Sequence, residues 1–362
     1  MEAEVFAHLR SIGAARVMEM ETRPVLLVGS IPCQNCSEVF RLLADELGTL
    51  AARYPDGETG NRIHWIRWQR HVFDDNPNMH LVEAKNHPGY QAQPQLRPFY
   101  ALTEGADLTR FSFKRLGYAS EAIRSYATFA TLKKDGAIAD DVRFQVSLPT
   151  VVSLLTSFVV KDDRAKVEPA LEAAMKAEVE DMASVIPPSE LAIQWDVASE
   201  IIGHDGGREL HFADALSGSV ERIARQVGFV PEGVETGIHL CYGDPGHKHV
   251  IEPKDAGTCV AFANLICQKS PRPVDWMHIP IPRGWDAAGY YKPLSDLKLP
   301  AETEVYLGLV HYTDGIDGTN RRLELAKAQF PNFGLATECG FGRRDPATIN
   351  QLLEIHRLAA SA

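Results

Sequence analysis

"VETGIHLCYGD" (residues 234–244) is an apolar run that closes on polar and glycine residues. A run of this composition, bounded by such residues, predicts a buried β-strand. Seven other segments share the pattern: 23–32, a weaker one just before 54–60, 142–150, 191–200, 274–282, 303–315 and 332–342. The sequence therefore contains eight strand candidates.

Amphipathic helical patterns lie between these candidates, among them "SEVFRLLADELGTLAARY" (37–54), "KVEPALEAAMKAEVEDMASVI" (166–186) and "GTNRRLELAKAQF" (318–330). They are long enough to form the crossovers that parallel strands require. Eight alternations predict an α/β fold, a (β/α)8 TIM barrel that occupies residues 1–362 as a single domain. A doubly wound open sheet is the alternative, but the stretch after the first strand, "VGSIPCQNC", lacks the glycine-rich phosphate loop which that fold prefers.

Residues 63–117 interrupt the alternation and are rich in His, Trp, Pro and Asn. We interpret them as a long insertion after the second strand that covers the barrel mouth, because long connections of this kind are usually lids or binding loops. Peripheral packing, or a contact between the two copies of a homodimer, is the alternative.

The composition of the chain indicates which classes of partner it can bind. The chain has 37 basic and 48 acidic residues, a net charge of -11, which argues against nucleic acid and favours a small substrate. The first residues lack the profile of a signal peptide, and no apolar run approaches ~18 residues. We expect a cytoplasmic protein without a membrane partner. Its six cysteines are too few for a disulfide scaffold, so we expect free thiols.

Side chains that bind metals gather at the predicted strand ends, where barrels carry their active sites. His239 and Cys241 close the fifth strand and, being two residues apart, point to the same side. Cys339 directly follows the eighth run. One imidazole and two thiolates form a ligand set that zinc favours, with a fourth position open to substrate. The alternative is a pair of core side chains, since cysteine is among the most buried residue types.

Other polar side chains also fall at or near these ends. Asp196 closes the fourth strand and is a candidate general acid or ammonium ligand. His311, at the end of the seventh, is a candidate substrate contact. Arg62 is a candidate clamp for a carboxylate and Trp65 a candidate wall for an aromatic or cationic group. For Asp196, Arg62 and Trp65, a purely structural role is the alternative.

Five short motifs occur in order across nearly the whole chain: "VGSIP" (28–32), "PDGETGNR" (55–62), "IQWD" (193–196), "HLCY" (239–242) and "ECGFGRR" (338–344). In these motifs the sequence resembles the catalytic barrel of the cobalamin-independent methionine synthase family and its shorter relatives. The resemblance implies a (β/α)8 barrel whose zinc activates a thiol for attack on a methyl group. It also implies roles for six residues: zinc ligands His239, Cys241 and Cys339, binding of the amino-acid thiol by Ser30 and Asp196, and a catalytic acid in Glu58.

The sequence departs from the family in two ways. Where the family has a zinc-binding glutamate near the end of its sixth strand, this chain has Pro280, which cannot bind zinc. His278 lies two residues earlier, on the same face, and is either a replacement ligand or a substrate contact. The family's full-length enzymes also carry an additional amino-terminal barrel that helps bind folate, and these 362 residues account for one barrel.

The function that we expect is therefore zinc-dependent transfer of a methyl or alkyl group from a donor, either folate or another alkyl compound, to a small thiol. Two alternatives stay open. One is a metal-independent decarboxylase of the uroporphyrinogen type, which requires several arginines at the mouth. The other is a non-catalytic barrel that binds a metabolite.

Overall fold

The computed structural model describes residues 22–86, 96–243 and 248–362. Its main sheet has seven parallel strands in the order β1 (Arg53–Pro55), β4 (Arg143–Pro149), β5 (Leu191–Val197), β6 (Glu235–Leu240), β7 (Trp276–Pro280), β8 (Glu304–Val310) and β9 (Gly334–Thr337). A separate antiparallel pair consists of β2 (Met79–Asn86) and β3 (Leu96–Leu102). The predicted α/β fold is confirmed, with parallel strands in the expected sequence order.

The main sheet is curled, and the segment expected to form the first strand reaches both of its edges. Val25 makes a parallel bridge to Leu335 in β9, and Ser30 makes one to Gly57 just after β1. These are isolated bridges, so residues 23–32 do not form the continuous strand that the sequence predicted. The hydrogen-bonded sheet accordingly has seven strands rather than the eight of a closed barrel.

Helices connect successive strands, as parallel pairing requires. The α-helices are α1 (Cys36–Glu46), α2 (Arg70–Asp74), α3 (Tyr118–Lys134), α4 (Val151–Phe158), α5 (Lys161–Val185), α6 (Ser199–His204), α7 (Ala215–Val227), α8 (Gly257–Lys269), α9 (Ala288–Tyr291), α10 (Gly315–Lys327) and α11 (Ile349–Ala360). Short 3-10 helices are Gly48–Leu50, Gly60–Gln69, Pro188–Glu190, Lys292–Asp296 and Pro346–Thr348. Among the described helices, none combines the length and apolar character needed to cross a membrane.

Local sequence signals explain where several helices begin. Asn35 caps α1 by accepting a hydrogen bond from the backbone N–H of Glu38 at 3.0 Å. Thr150 does the same for Ser153 at the start of α4, at 3.2 Å. Such caps satisfy N–H groups that have no partner within the helix. They fix the turns that lead from the sheet into its covering helices.

The insertion folds as a unit against α4 and α5. Tyr100 of β3 forms a parallel bridge to Val159, and the Asp163 carboxylate accepts a hydrogen bond from the backbone N–H of Leu102 at 2.9 Å. The Phe73 ring stacks on Phe158 with centroids 4.8 Å apart. Part of the predicted insertion, residues 87–95, lies outside the described residues.

Side chains on the inner face of the curled sheet pack against one another. A small buried cluster there consists of Leu26, Ala192, Trp276, Tyr306 and Ala336, contributed by the first segment and four different strands. This layer fills the amino-terminal end of the sheet's interior, as in packed barrels. Only the opposite end, where the strands finish, remains for a cavity.

One buried cation ties the amino-terminal end of the sheet together. The Arg53 guanidinium donates to Glu235 of β6 at 2.6 Å and to Glu304 of β8 at 2.7 Å. It also stacks over the Trp276 ring at 4.4 Å from the centroid. Three strands that are distant along the sheet are thereby linked through one side chain.

We expect Arg53→Leu to lower the free energy of unfolding by about 2–4 kcal/mol, because it leaves two carboxylates without their common partner. The glutamates are partly exposed, at 25% and 45%, which moderates the cost. Urea denaturation followed by circular dichroism measures the change. The control is Arg124→Leu, whose side chain is 72% exposed and pairs only with Glu121 of the same helix. Equal losses for the two variants would contradict the proposed role of Arg53.

Candidate active site

Parallel register places three polar residues side by side at the carboxyl ends of the strands. Asp196 of β5 is paired with His239 of β6, and His239 is paired with His278 of β7. Residues paired across parallel strands share a face of the sheet. All three are buried. The predicted strand-end positions of these residues therefore bring them to one level of the fold.

His239, Cys241 and Cys339 converge. One potential ligand atom from each lies within 4.8 Å of the other two. Because side chains alternate along β6 and its exit, His239 and Cys241 lie on the same side. Cys339 lies two residues after the end of β9. The neighbouring Cys241 thiol and the charge of Arg343 hold the pKa of the Cys339 thiol well below its ordinary value, against the effect of burial.

His278 lies behind His239 and sets its tautomer. The Nε2 atom of His278 is 3.0 Å from the Thr337 carbonyl oxygen, which can only accept, so this nitrogen donates. Its Nδ1 atom is then an acceptor for the N–H at Nδ1 of His239, 2.7 Å away. His239 consequently presents a bare Nε2, and this buried atom has no hydrogen-bond partner among the described residues. Burial and the neighbouring His239 hold the pKa of His278 well below its ordinary value.

Two carboxyl groups enter the same site. Asp196 accepts hydrogen bonds from the side-chain amide of Gln194 at 3.0 Å and from the indole N–H of Trp65 at 3.1 Å. Burial raises the pKa of Asp196 to about 6. Burial and the Asp196 charge raise the pKa of Glu58 well above its ordinary value. The bond from Trp65 also ties the insertion to the end of β5.

Backbone strain is concentrated here. Among the described residues other than glycine, only Glu58 and Trp65 have positive φ, at 48° and 59°. Such conformations cost about 1–3 kcal/mol each and persist where the surroundings impose them. A Cβ atom at Gly29 would lie 3.0 Å from the Glu58 carboxylate, so a larger residue there would press on that carboxylate.

The turn after β9 packs directly on Ser30. The Phe341 N–H donates to the Ser30 carbonyl oxygen at 2.6 Å, and the Gly342 N–H donates to the Ser30 hydroxyl at 3.2 Å. Any side chain at Gly340 would collide with the Ser30 hydroxyl. These contacts hold the segment that carries Cys339 against the first segment of the chain.

These elements enclose a cavity of about 280 Å³. Seven of the site residues predicted from the sequence line it: Ser30, Glu58, Trp65, Asp196, His239, Cys241 and Cys339. They come from the first segment, the exit of β1, the insertion and the ends of β5, β6 and β9. Most of the site residues predicted from the sequence therefore line one cavity.

Three predicted site residues do not line this cavity. Both ring nitrogens of His278 are engaged as described, so we do not carry it forward as a zinc ligand. His311 is buried, and its Nε2 donates to the Ile281 carbonyl oxygen at 2.9 Å. Arg62 is held by Asp56 at 2.7 Å, where it pairs with a carboxylate of the protein itself. We accordingly assign His311 and Arg62 no substrate contact.

No family model matches the sequence, and no curated protein matches it. The solved structures that are similar in fold include the following two. A candidate vitamin-B12-independent methionine synthase from Listeria monocytogenes has a TM-score of 0.56 at 14% identity, covering 92% of this chain and 95% of its own. A methyltransferase from Methanosarcina mazei has a TM-score of 0.55 at 13% identity, covering 94% of each chain.

This chain shares their fold. The likeness extends over nearly the full length of this chain and of both neighbours. At sequence identities of 13% and 14%, structural similarity shows a shared fold and does not show a shared function. The chemistry of this protein must therefore be argued from its own residues.

Sequence reasoning missed a group of basic side chains. Five arginines line the cavity among the described residues: Arg67, Arg70, Arg97, Arg208 and Arg343. Arg67 and Arg70 lie in the predicted insertion, whose composition hinted at a binding role. Arg208 lies in an ordinary loop, "HDGGREL" (204–210), where no motif marks it. Only the folded arrangement reveals the group.

Glu200, near the start of α6, is buried. Burial raises its pKa from 4.5 to about 7. The folded protein therefore holds a proton that the unfolded chain releases above pH 4.5. Wild-type stability should fall as the pH rises from about 4.5 to 7, with the full penalty present above pH 7.

We expect Glu200→Gln, which cannot lose a proton, to be more stable than wild type by about 1–3 kcal/mol at about pH 8, and by much less at about pH 5. Urea denaturation at the two pH values provides the comparison. Glu104→Gln, in an exposed loop, serves as the matched control and should show no such pH-dependent gain. A stability difference for Glu200→Gln that is the same at both pH values would refute the argument.

Proposed function

We propose that the protein is a zinc-dependent transferase that passes a methyl or other alkyl group from a donor to a small thiol. The observation that carries the proposal is the convergence of a buried, unpartnered imidazole nitrogen with two cysteine sulfurs at the end of a cavity. An orphaned buried acceptor is costly unless something binds it. A metal ion is the ligand that suits one nitrogen and two thiolates.

The donor set fits zinc in the manner of catalytic sites, which have three protein ligands and an open position. His239, Cys241 and Cys339 would hold the ion. Zinc bound there would supply a positive charge that keeps a substrate thiol deprotonated at neutral pH. His278 would act through His239, since partners behind a ligating histidine fix its tautomer and orientation.

The remaining cavity residues would bind and orient the substrates. We assign Ser30 and Asp196 to the polar groups of the thiol, because both face the cavity next to the three ligand candidates. Trp65 donates to Asp196 and so fixes the direction of that carboxylate. Glu58, enclosed beside Asp196, is the proposed proton donor to the departing group. The insertion, which contributes Trp65, would exclude water from the reaction.

We further infer that residues 23–31 complete the curled sheet as an eighth, irregular strand. Bridges to β9 at one end and to the exit of β1 at the other support this inference. The Ile31 N–H also donates to the Gly57 carbonyl oxygen at 2.8 Å. Closure of this kind would hold Ser30 and Cys339 on the same side of the cavity.

A metal-independent decarboxylase stays as a second candidate, because five arginines line the cavity and an acidic substrate would need them. That reaction leaves the three converging ligand atoms without a role. A non-catalytic barrel leaves both the ligands and the strained Glu58 and Trp65 without one. Metal content and transfer activity separate the three functions.

We expect protein produced with zinc supplied to contain about one zinc per chain. Cys339→Ser should lose most of it, and His278→Gln should bind zinc about 10- to 100-fold more weakly, because it no longer fixes the tautomer of His239. Metal analysis and competition with a chelator measure both effects. Cys267→Ser, a partly buried cysteine of α8 outside the cavity, should retain full zinc. Full retention by Cys339→Ser would remove that residue from the ligand set.

We expect the zinc-loaded protein to convert a small thiol to its thioether in a screen of thiols against methyl donors and epoxides. Mass spectrometry of the products detects the new carbon–sulfur bond. Cys339→Ser should form none, and Cys267→Ser should match wild type. Stoichiometric zinc without transfer from any donor would favour the binding function, whereas release of carbon dioxide from an acidic substrate by metal-free protein would favour the decarboxylase.

A further inference from the structure

The cavity lining is rich in arginine within an acidic protein. The chain as a whole carries a net charge of -11. Among the described residues that line the cavity, five are arginines, none is a lysine, and only Glu58 and Asp196 are acidic. Arginine differs from lysine in offering a planar fork that matches the oxygens of carboxylates, sulfonates and phosphates. The local charge therefore indicates a small anion as the ligand.

Arg208 is the member of this group whose geometry is most specific. Its Nη1 atom donates to the hydroxyl of Thr156 at 3.2 Å and to that of Ser199 at 3.1 Å. Both bonds use the same nitrogen. The Nε and Nη2 atoms, which share the opposite edge of the guanidinium, have no partner within the described ranges 22–86, 96–243 and 248–362. This edge is the one that binds an oxyanion through two parallel hydrogen bonds.

No carboxylate in the described part of the chain lies within ion-pair distance of Arg208. The acid that most favours its charge is Glu200, whose own pKa is raised to about 7 by burial. Burial and the nearby Arg164 lower the pKa of Arg208 itself. A largely enclosed cation with so little compensation gains most from an anion that enters the cavity.

Apolar side chains share the lining with Arg208. Phe158, Ile202, Pro98 and Val250 all face the cavity. A volume of about 280 Å³ lies just below the range for ligand pockets, roughly 300–1,000 Å³. The space suits one small molecule with an apolar body rather than a large cofactor. Such a molecule would reach from the arginine to the sulfur atoms.

We propose that the thiol substrate carries an acidic head group, and that Arg208 binds it through its Nε and Nη2 atoms while Thr156 and Ser199 hold the guanidinium in place. The assignment of this anion to the thiol rests on the function proposed above. The binding of an oxyanion by Arg208 stands on the geometry alone. It also gives the arginines of the cavity a role that requires no decarboxylation.

Isothermal titration calorimetry on the zinc-loaded protein tests the proposal with four probes: mercaptopropionate, mercaptopropanesulfonate, the neutral mercaptopropanol, and propionate, which lacks the thiol. We expect one or both acidic thiols to bind at least about tenfold more tightly than mercaptopropanol, as charge-assisted hydrogen bonds predict. The carboxylate and sulfonate probes distinguish a planar from a tetrahedral head group.

Variants then locate the effect. Arg208→Gln should remove the preference for acidic thiols and leave mercaptopropanol binding unchanged. Arg208→Lys keeps the charge without the fork and should retain part of the preference. Arg321→Gln is the matched control, because it removes an equal charge from a side chain that is 68% exposed on α10. Circular dichroism confirms that the variants are folded.

Two results would overturn the proposal: equal binding of acidic and neutral thiols by wild type, or a preference that Arg208→Gln leaves intact. The first comparison uses wild-type protein only, so it does not depend on the folding of a variant. If propionate binds as tightly as mercaptopropionate and both require Arg208, the anion site stands and the proposed thiol function fails. The two proposals are thus tested separately.

Discussion

The register of three parallel strands determines the site. Pairing of β5 with β6 and of β6 with β7 sets Asp196, His239 and His278 at one level. Because side chains alternate with period two, a slip of one residue in β6 would turn His239 toward the helices. Gly237 specifies this register, since any Cβ atom there would collide with the indole of Trp276. The orientation of His239 toward the cavity therefore depends on the close packing of Gly237 against Trp276.

Much of this arrangement was predictable from the sequence. Strands β4 to β9 follow the apolar runs that end in polar or glycine residues. Alternation along β6 correctly placed His239 and Cys241 on one side. The irregular pairing of the first segment, through isolated bridges, was not predictable from the sequence pattern. Residues 23–32 contain Pro24 and Pro32, which lack the N–H group that a ladder requires. The three-residue β1 offers few partner groups.

Side-chain partners that are distant in the sequence account for the rest. Strand periodicity put His278 on the correct face, but its role is set by the carbonyl oxygen of Thr337, which no local pattern connects to it. Arg62 and His311 have suitable chemistry, yet Asp56 and a backbone carbonyl already engage them. The arginines of the cavity come from the insertion and from separate loops, so their common charge exists only after folding.

The separation of the three ligand candidates along the chain also bears on how the protein is made. A ribosome releases His239 and Cys241 together, whereas Cys339 emerges only after the three further strands β7, β8 and β9 have been synthesised. Until then a nascent chain holds two of the three ligand candidates, and β9, to which Val25 makes its bridge, does not yet exist. The convergence of the three ligand candidates and the bridge between the first segment and β9 therefore belong to the last stage of biogenesis. Transient partners that protect exposed thiols would act before that point.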